Sequence, residues 1–402
     1  MKQLLAYCLS IILCVSFTGC MENYLDLYPE DKITSASFPE NESDIKLLLN
    51  GVYAQLREKE VYNQGLFGFG ITDGATPNAF NWGTDEVFNK LGAGRLSSSD
   101  GGVVTYRWKR CYEIISRANY LLACMDLVDL SEEAKAKYSG ETHFLRGLAY
   151  SVLAETYGGV PIILTNISTE EARSLKRASL EETWQQALDD YEVAITNLGV
   201  DAPEPGRATK GAALGMKMRA YLYQGKYKEV LSCVEQIDAL KKYGLFHSYE
   251  GLFDPANENN KEVLFDIQYI EGENSQGSYI DQYCGTGTGS WTRGSRYVPT
   301  DDLVAAYETI DGSPVDPENP YENRDPRLGF TAVLPGSYFL GYRFPNYLYP
   351  GGAFNHAGNR LKHLSTRKYR IQDESKLPPS GQSYINDITV SYTHLTLPTI
   401  RL

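Results

Sequence analysis

The chain has 402 residues, 42% hydrophobic and 22% charged, an ordinary globular composition that excludes global disorder. Its 51 acidic residues outnumber 38 basic ones, for a net charge of -13, a balance that argues against a nucleic-acid partner, whose phosphates need a basic face. The length allows two or three domains or one large one.

The first residues read as an export signal. Lys2 precedes an apolar run, Leu4 to Val15, that is too short for the ~30 Å hydrocarbon core of a bilayer. Phe17-Thr18-Gly19-Cys20 follows, and small residues before a cysteine at this point are similar to a bacterial lipobox. Residues 1–19 are expected to be removed and Cys20 to carry lipid. Cys111, Cys124 and Cys233 fall in helical patterns and read as small buried hydrophobes. With Cys284 they are even in number, which permits disulfides after export without assigning them. There is no C-x-x-C pair and no Cys/His cluster, so neither a metal site nor a cofactor is expected.

In chain order, Ser43 is the expected cap of a helix with Ile45, Leu48, Leu49, Val52 and Leu56 on one face. A second helix is predicted over Val103 to Met125, with Trp108, Tyr112, Ile115, Leu122 and Met125 on its stripe. Ser131 opens a third, which stops at Gly158-Gly159. Ser179-Leu180-Glu181-Glu182 is a capping box opening a fourth, with Leu180, Trp184, Ala187, Leu188, Tyr191, Ile195 and Leu198 buried. Two further helices form a hairpin about Gly225, the first carrying Ala212, Leu214, Met218 and Tyr221 and the second Tyr227, Val230, Leu231, Val234 and Ile237. The stretch from Ala220 to Glu229 resembles the turn of a tetratricopeptide repeat, whose single unit needs stacked neighbours to bury its faces. After about Tyr249 the character changes. Val263, Phe265, Ile267 and Tyr269 alternate like a strand, and one good helix is expected from Asp301 to Glu308 among long Gly-, Pro-, Asn- and Tyr-rich loops.

Catalytic patterns are sparse. No G-x-S-x-G, H-E-x-x-H or P-loop is present. Asp189/Asp190 fall mid-helix and Asp301/Asp302 in a first turn, with ordinary solvation or dipole explanations. Asp311-Gly312-Ser313-Pro314-Val315-Asp316 misses the EF-hand pattern and reads as a turn.

Several motifs in order resemble the SusD/RagB family of outer-membrane lipoproteins of Bacteroidetes. They are Tyr24-Leu25-Asp26-Leu27-Tyr28-Pro29-Glu30-Asp31, Leu49-Asn50-Gly51-Val52-Tyr53, Trp108-Lys109-Arg110-Cys111-Tyr112 with Arg117-Ala118-Asn119, Glu141 to Tyr150 running into Tyr157-Gly158-Gly159-Val160-Pro161, Gly206-Arg207-Ala208-Thr209-Lys210, and Arg324-Asp325-Pro326-Arg327-Leu328. The resemblance implies a mainly α, tetratricopeptide-like scaffold with a loop-rich, irregular C-terminal half holding a few short strands. It divides the chain into a signal at 1–19, a helical region at 20–245 and a loop-rich region at 246–390. It further implies a non-catalytic, cell-surface protein, anchored in the outer membrane by lipid, that binds a glycan or peptide and delivers it to a SusC-like TonB-dependent transporter. Where the family continues into an Arg- and Leu-rich helix, this chain reads Val390 to Ile400 and stops. That string resembles a translated sequencing adapter, so 391–402 is expected to be a non-native tail on an incomplete C-terminal region.

A sugar ring has a face of C–H groups that packs on a flat aromatic, and tryptophan is the largest such platform. Trp82, with Asn78 and Asn81 beside it, and Trp291, with Tyr283, Arg293 and Tyr297 near, lie in loops and are the expected ligand residues. Trp108 and Trp184 lie on helix stripes and are expected in the core. A surface glycoside hydrolase would instead need convergent carboxylates. A protein-interaction scaffold would leave the loop aromatics buried or dispersed.

Overall fold

The computed structural model describes residues 38–57, 74–81, 90–97, 99–101, 103–202, 204–269, 297–339, 342–344, 364–367 and 387–391. As expected, the fold is mainly α with short strands. Helix α1 (Glu42–Ala54) is capped by Asn41 rather than Ser43. Asn41 has the extended backbone a cap needs, and its side chain accepts the Asp44 N–H at 3.2 Å. The helix buries Ile45, Leu49 and Val52 against α2 (Val103–Cys124) and α3 (Glu132–Tyr157).

The buried seam of α2 is Cys111, Ile114, Ile115, Ala118 and Leu121. It lies a step round the helix from the expected stripe, so Trp108 is not core but 37% exposed, with one side against Tyr112 and Tyr157. Ser131 does cap α3, accepting the Ala134 N–H at 3.1 Å. From Phe144 to Ala154 every residue of α3 is buried, because neighbours cover the helix on all sides. A short helix, α4 (Thr169–Ser174), opens on an unforeseen capping box of Ser168 and Glu171. The box at Ser179 and Glu182 opens α5 (Leu180–Asn197) as expected. Leu180 itself is 48% exposed, because the contact with α3 begins only at Thr183 and Trp184.

Helices α6 (Lys210–Tyr223) and α7 (Tyr227–Ala239) form the hairpin, turning at Gly225 with φ 69°. Val230, Cys233 and Ile237 face inward, while Tyr227 and Leu231 are 51% and 42% exposed. Successive packing of α2 on α3, α3 on α5, α5 on α6 and α6 on α7 makes the tetratricopeptide-like array. Among the described residues, no helix is long and apolar enough to cross a membrane. Cys111, Cys124 and Cys233 are buried and unpaired, and burial pushes the Cys111 thiol up to about 12.

Strand β2 (Val263–Ile267) pairs antiparallel with β8 (Asp387–Ser391) through a bulged register. The expected alternation is absent: Leu264, Phe265, Asp266 and Ile267 are all buried. Phe265 meets Phe144 of α3 edge-on, with ring centroids 4.9 Å apart, so a helical layer covers one face of the strand. Ser391, the first residue of the expected tail, stands opposite Val263 as the last residue of β8. Residues 392–402 lie outside the described residues, as do 1–37 with the signal and Cys20.

The loop-rich part is held by small ladders. β1 (Ala79–Asn81) pairs with β3 (Tyr297–Pro299), and α8 (Asp301–Ala306), shorter than expected, follows at once. A further helix, α9 (Pro326–Thr331), is capped by Asp325 of the Arg324-Asp325-Pro326 motif and leads into β4 (Ala332–Val333). β5 (Tyr338–Phe339) pairs with β6 (Tyr342–Arg343), and β7 (Ser365–Thr366) pairs with β4. Val333, Phe339 and Phe344 make a small core of their own.

Candidate functional site

The family-like motifs come together as packing devices. The Tyr53 hydroxyl donates to the Glu141 carboxylate at 2.8 Å and accepts the Ala208 N–H at 2.9 Å. Arg207 lies over the Tyr53 ring at 4.9 Å and donates to Asn50 Oδ1 at 2.5 Å. Burial pushes the Glu141 carboxyl up, while Tyr53 and Arg207 pull it down. Arg146 forms a second node. It grips Asp190 through two nitrogens, with Nη2 at 2.7 Å, and donates to Asn119 Oδ1 at 2.8 Å. Asp190 is only 1% exposed, so it is neither the solvated acid expected from sequence nor a free carboxylate. These residues fix helices to one another, leaving recognition to be sought in the loops.

The remaining acids have local tasks. The Asp311 side chain accepts the Ser313 N–H at 3.0 Å, and its bonds with Ser313 hold its carboxyl down to about 2. Asp316 caps the Glu318 N–H at 2.9 Å, so this loop is a turn closed on its own residues. Asp301 and Asp302 sit in the first turn of α8, where the helix dipole favours them. Among the described residues, no three His, Cys, Asp or Glu side chains converge on a metal-sized site.

Of the expected ligand residues, the β1–β3 ladder pairs Asn81 with Tyr297. Ala79 pairs with Pro299, Phe80 with Val298 and Asn81 with Tyr297. Asn78 is tied in just before the ladder, its carbonyl accepting the Thr300 N–H at 3.1 Å. The Thr300 hydroxyl donates to the Pro77 carbonyl and accepts the Leu303 N–H at 3.1 Å, so one side chain locks the strand pair to α8. β3 also packs beside β7, and Arg367 just after β7 reaches Glu250 at 2.7 Å and the face of Phe339. The pairing is antiparallel, so the chain leaves β1 at Asn81 and enters β3 at Tyr297 at the same end of the ladder. Trp82 follows Asn81 directly, and Arg293 and Trp291 precede Tyr297 by a few residues. Trp82, Tyr283, Trp291 and Arg293 lie outside the described residues. Of the two helical tryptophans, Trp184 is core as expected, at 6% exposure.

Two family models match the chain. Residues 23–222 match a SusD-like model described as starch-binding, associating with outer membrane, and residues 261–397 match the SusD family. A SusD-like protein, P25, of Formosa agariphila is 26% identical over 321 residues, which is 74% of this chain and 58% of that protein. A SusD-like protein of Bacteroides ovatus is 23% identical, covering 63% of this chain and 48% of its own length. The chain therefore spans roughly half the length of these relatives. The crystal structure of a SusD-like carbohydrate binding protein from Bacteroides fragilis superimposes with a TM-score of 0.78 at 26% identity, over 89% of this chain and 73% of that one. A laminarin binding SusD-like protein superimposes with a TM-score of 0.70 at 18% identity, over 89% of this chain and 79% of that one, a likeness of fold alone.

Proposed function

Because the chain belongs to the SusD/RagB family, we propose that it captures a glycan at the cell surface without cleaving it and hands it to a SusC-like TonB-dependent transporter in the outer membrane. The observation that supports a capture site here is the register of β1 and β3, in which Asn81, the residue before Trp82 in sequence, stands opposite Tyr297, six positions after Trp291. Two tryptophan platforms would suit a ligand made of repeating rings. Asn78, Asn81, Tyr283, Arg293 and Tyr297 supply the amides, hydroxyls and charge for its hydroxyl groups. The description of the B. fragilis neighbour as a carbohydrate binding protein supports the ligand class.

Calorimetry with starch and laminarin tests the reading. Trp82→Ala and Trp291→Ala are each expected to cost about 1–3 kcal/mol of binding, the range for an aromatic anchor, with circular dichroism showing both variants folded. Wild-type affinity in both variants would remove the site from these loops.

The lipid anchor is a separate part of the proposal, motivated by the apolar run before Cys20. Cys20→Ala should abolish incorporation of labelled palmitate and release the protein from the membrane fraction. Palmitate labelling equal to wild type would rule Cys20 out.

A further inference from the structure

A cavity of about 280 Å³ opens between the loop at 201–209, the residues just after α7 and the turn that leads into β2. None of its lining residues belongs to β1 or β3. We propose that it is a second carbohydrate site, shaped for a single neutral pyranose unit.

The charges of the wall select the ligand class. Asp201, Glu204 and Asp266 are matched in number by Arg207, Lys242 and Lys261. An anion would face three carboxylates there, and a cation three positive side chains. A neutral polyol suits the mixture, because each hydroxyl can donate to a carboxylate and accept from an ammonium or amide group. Asn259, Asn260 and Thr209 extend the same mixed character, and Leu264 and Phe265 supply apolar floor. The volume lies just below the range of drug-sized ligand pockets, which begins at about 300 Å³, and this points to one ring rather than a chain of them.

The wall is also fixed before any ligand arrives. Lys242 Nζ donates to Asp201 Oδ1 at 2.8 Å and to the Val200 carbonyl at 2.9 Å. Gln268 Nε2 donates to Asp266 Oδ1 at 2.6 Å and to Asn259 Oδ1 at 3.1 Å. The Tyr243 and Thr209 hydroxyls are 3.1 Å apart. Gly211 backs the Tyr243 ring so closely that a Cβ there would come within 2.3 Å of it, which holds a flat aromatic at the cavity. Groups already held in place lose little freedom on binding. Two of the three non-glycine residues with positive φ among the described residues flank this one cavity, Lys241 and Asn259, each at φ 55°. Such backbone persists where its surroundings over-determine it, and it concentrates at ligand clamps.

Saturation-transfer NMR on the full chain with D-glucose, D-galactose, D-mannose and D-xylose tests the proposal. Asn259→Gly removes the amide while keeping the left-handed backbone that glycine adopts freely. Lys261→Ala changes an exposed residue. Transfer from at least one sugar is expected in the wild type and in the Trp82→Ala/Trp291→Ala double variant. Affinity should fall about tenfold in Asn259→Gly and in Lys261→Ala, the loss of one charge-assisted or amide hydrogen bond. Transfer from none of the four sugars, or unchanged affinity in both cavity variants, would overturn the site. Loss of transfer in the double tryptophan variant alone would also overturn it, by assigning the sugar to the loops.

Discussion

Arg146→Met should destabilise the fold by about 3–5 kcal/mol, because it strands the Asp190 carboxylate in the interior with its charge uncompensated. Asp190 is 1% exposed, and its carboxylate accepts hydrogen bonds from Arg146 Nε and Nη2. The double variant Arg146→Met/Asp190→Leu should be more stable than the single one, since it removes the stranded charge. It should still fall short of wild type, because Asn119 Oδ1 also loses the Arg146 donor at 2.8 Å, at a cost of about 1–3 kcal/mol. Urea unfolding measures both, as a shift in midpoint at constant slope. A double variant no more stable than Arg146→Met would show that the cost lies in lost packing and not in the buried charge.

Gly159→Ala should cost about 3 kcal/mol, the upper end for overpacking. A Cβ at Gly159 would stand 2.0 Å from the Ala178 carbonyl oxygen and 2.7 Å from the Ser179 carbonyl carbon. Both are backbone atoms, so no side chain can swing aside. The two segments are also stitched together, with Ala178 N–H donating to the Val160 carbonyl at 3.1 Å and Val160 N–H donating to the Thr183 hydroxyl at 3.2 Å. Arg177 donates to the Gly159 carbonyl as well. The methyl group therefore has to push α5 off the end of α3. Gly244→Ala is the control: a Cβ there would meet nothing within 4 Å, and its stability should stay within about 0.5 kcal/mol of wild type. Equal midpoints for the two variants would remove the close approach at Gly159 as the reason for glycine there.

What could be read from sequence divides along the range of the interactions. Ser131 and Ser179 were legible as caps because the bonds they make close within three residues. Asn41 was missed because two capping residues stand close together and only the backbone angle chooses between them. Helix existence was legible from period, but which side chains face inward was not always so. Trp108, Leu180, Tyr227 and Leu231 all lie at the margin of a stripe, where burial depends on how far the neighbouring helix extends. Strand β2 misled for the same reason: alternation presumes one wet face, and here both faces are covered. The partnership of Arg146, Asn119 and Asp190 had no local signature, since Asp190 is 44 residues from Arg146. The two tryptophan loops were legible only as composition. The pairing of Asn81 with Tyr297 joins residues more than half the chain apart, which no periodicity announces.

The Tyr53 node also decides how the helical array comes apart. In a simple solenoid each unit touches only its neighbours, so end units fray first and the middle outlasts them. Here α1 is fastened to the residues that lead into α6. Ala208 N–H reaches the Tyr53 hydroxyl across 155 positions of sequence, Arg207 reaches Asn50 across 157, and Lys46 reaches Glu204 across 158. Opening α1 alone would expose Ile45, Leu49 and Val52 and also unhook the start of the hairpin. The amides of α1 and of the first turns of α6 should therefore exchange with deuterium as one cooperative block, although α2, α3, α4 and α5 separate them in chain order.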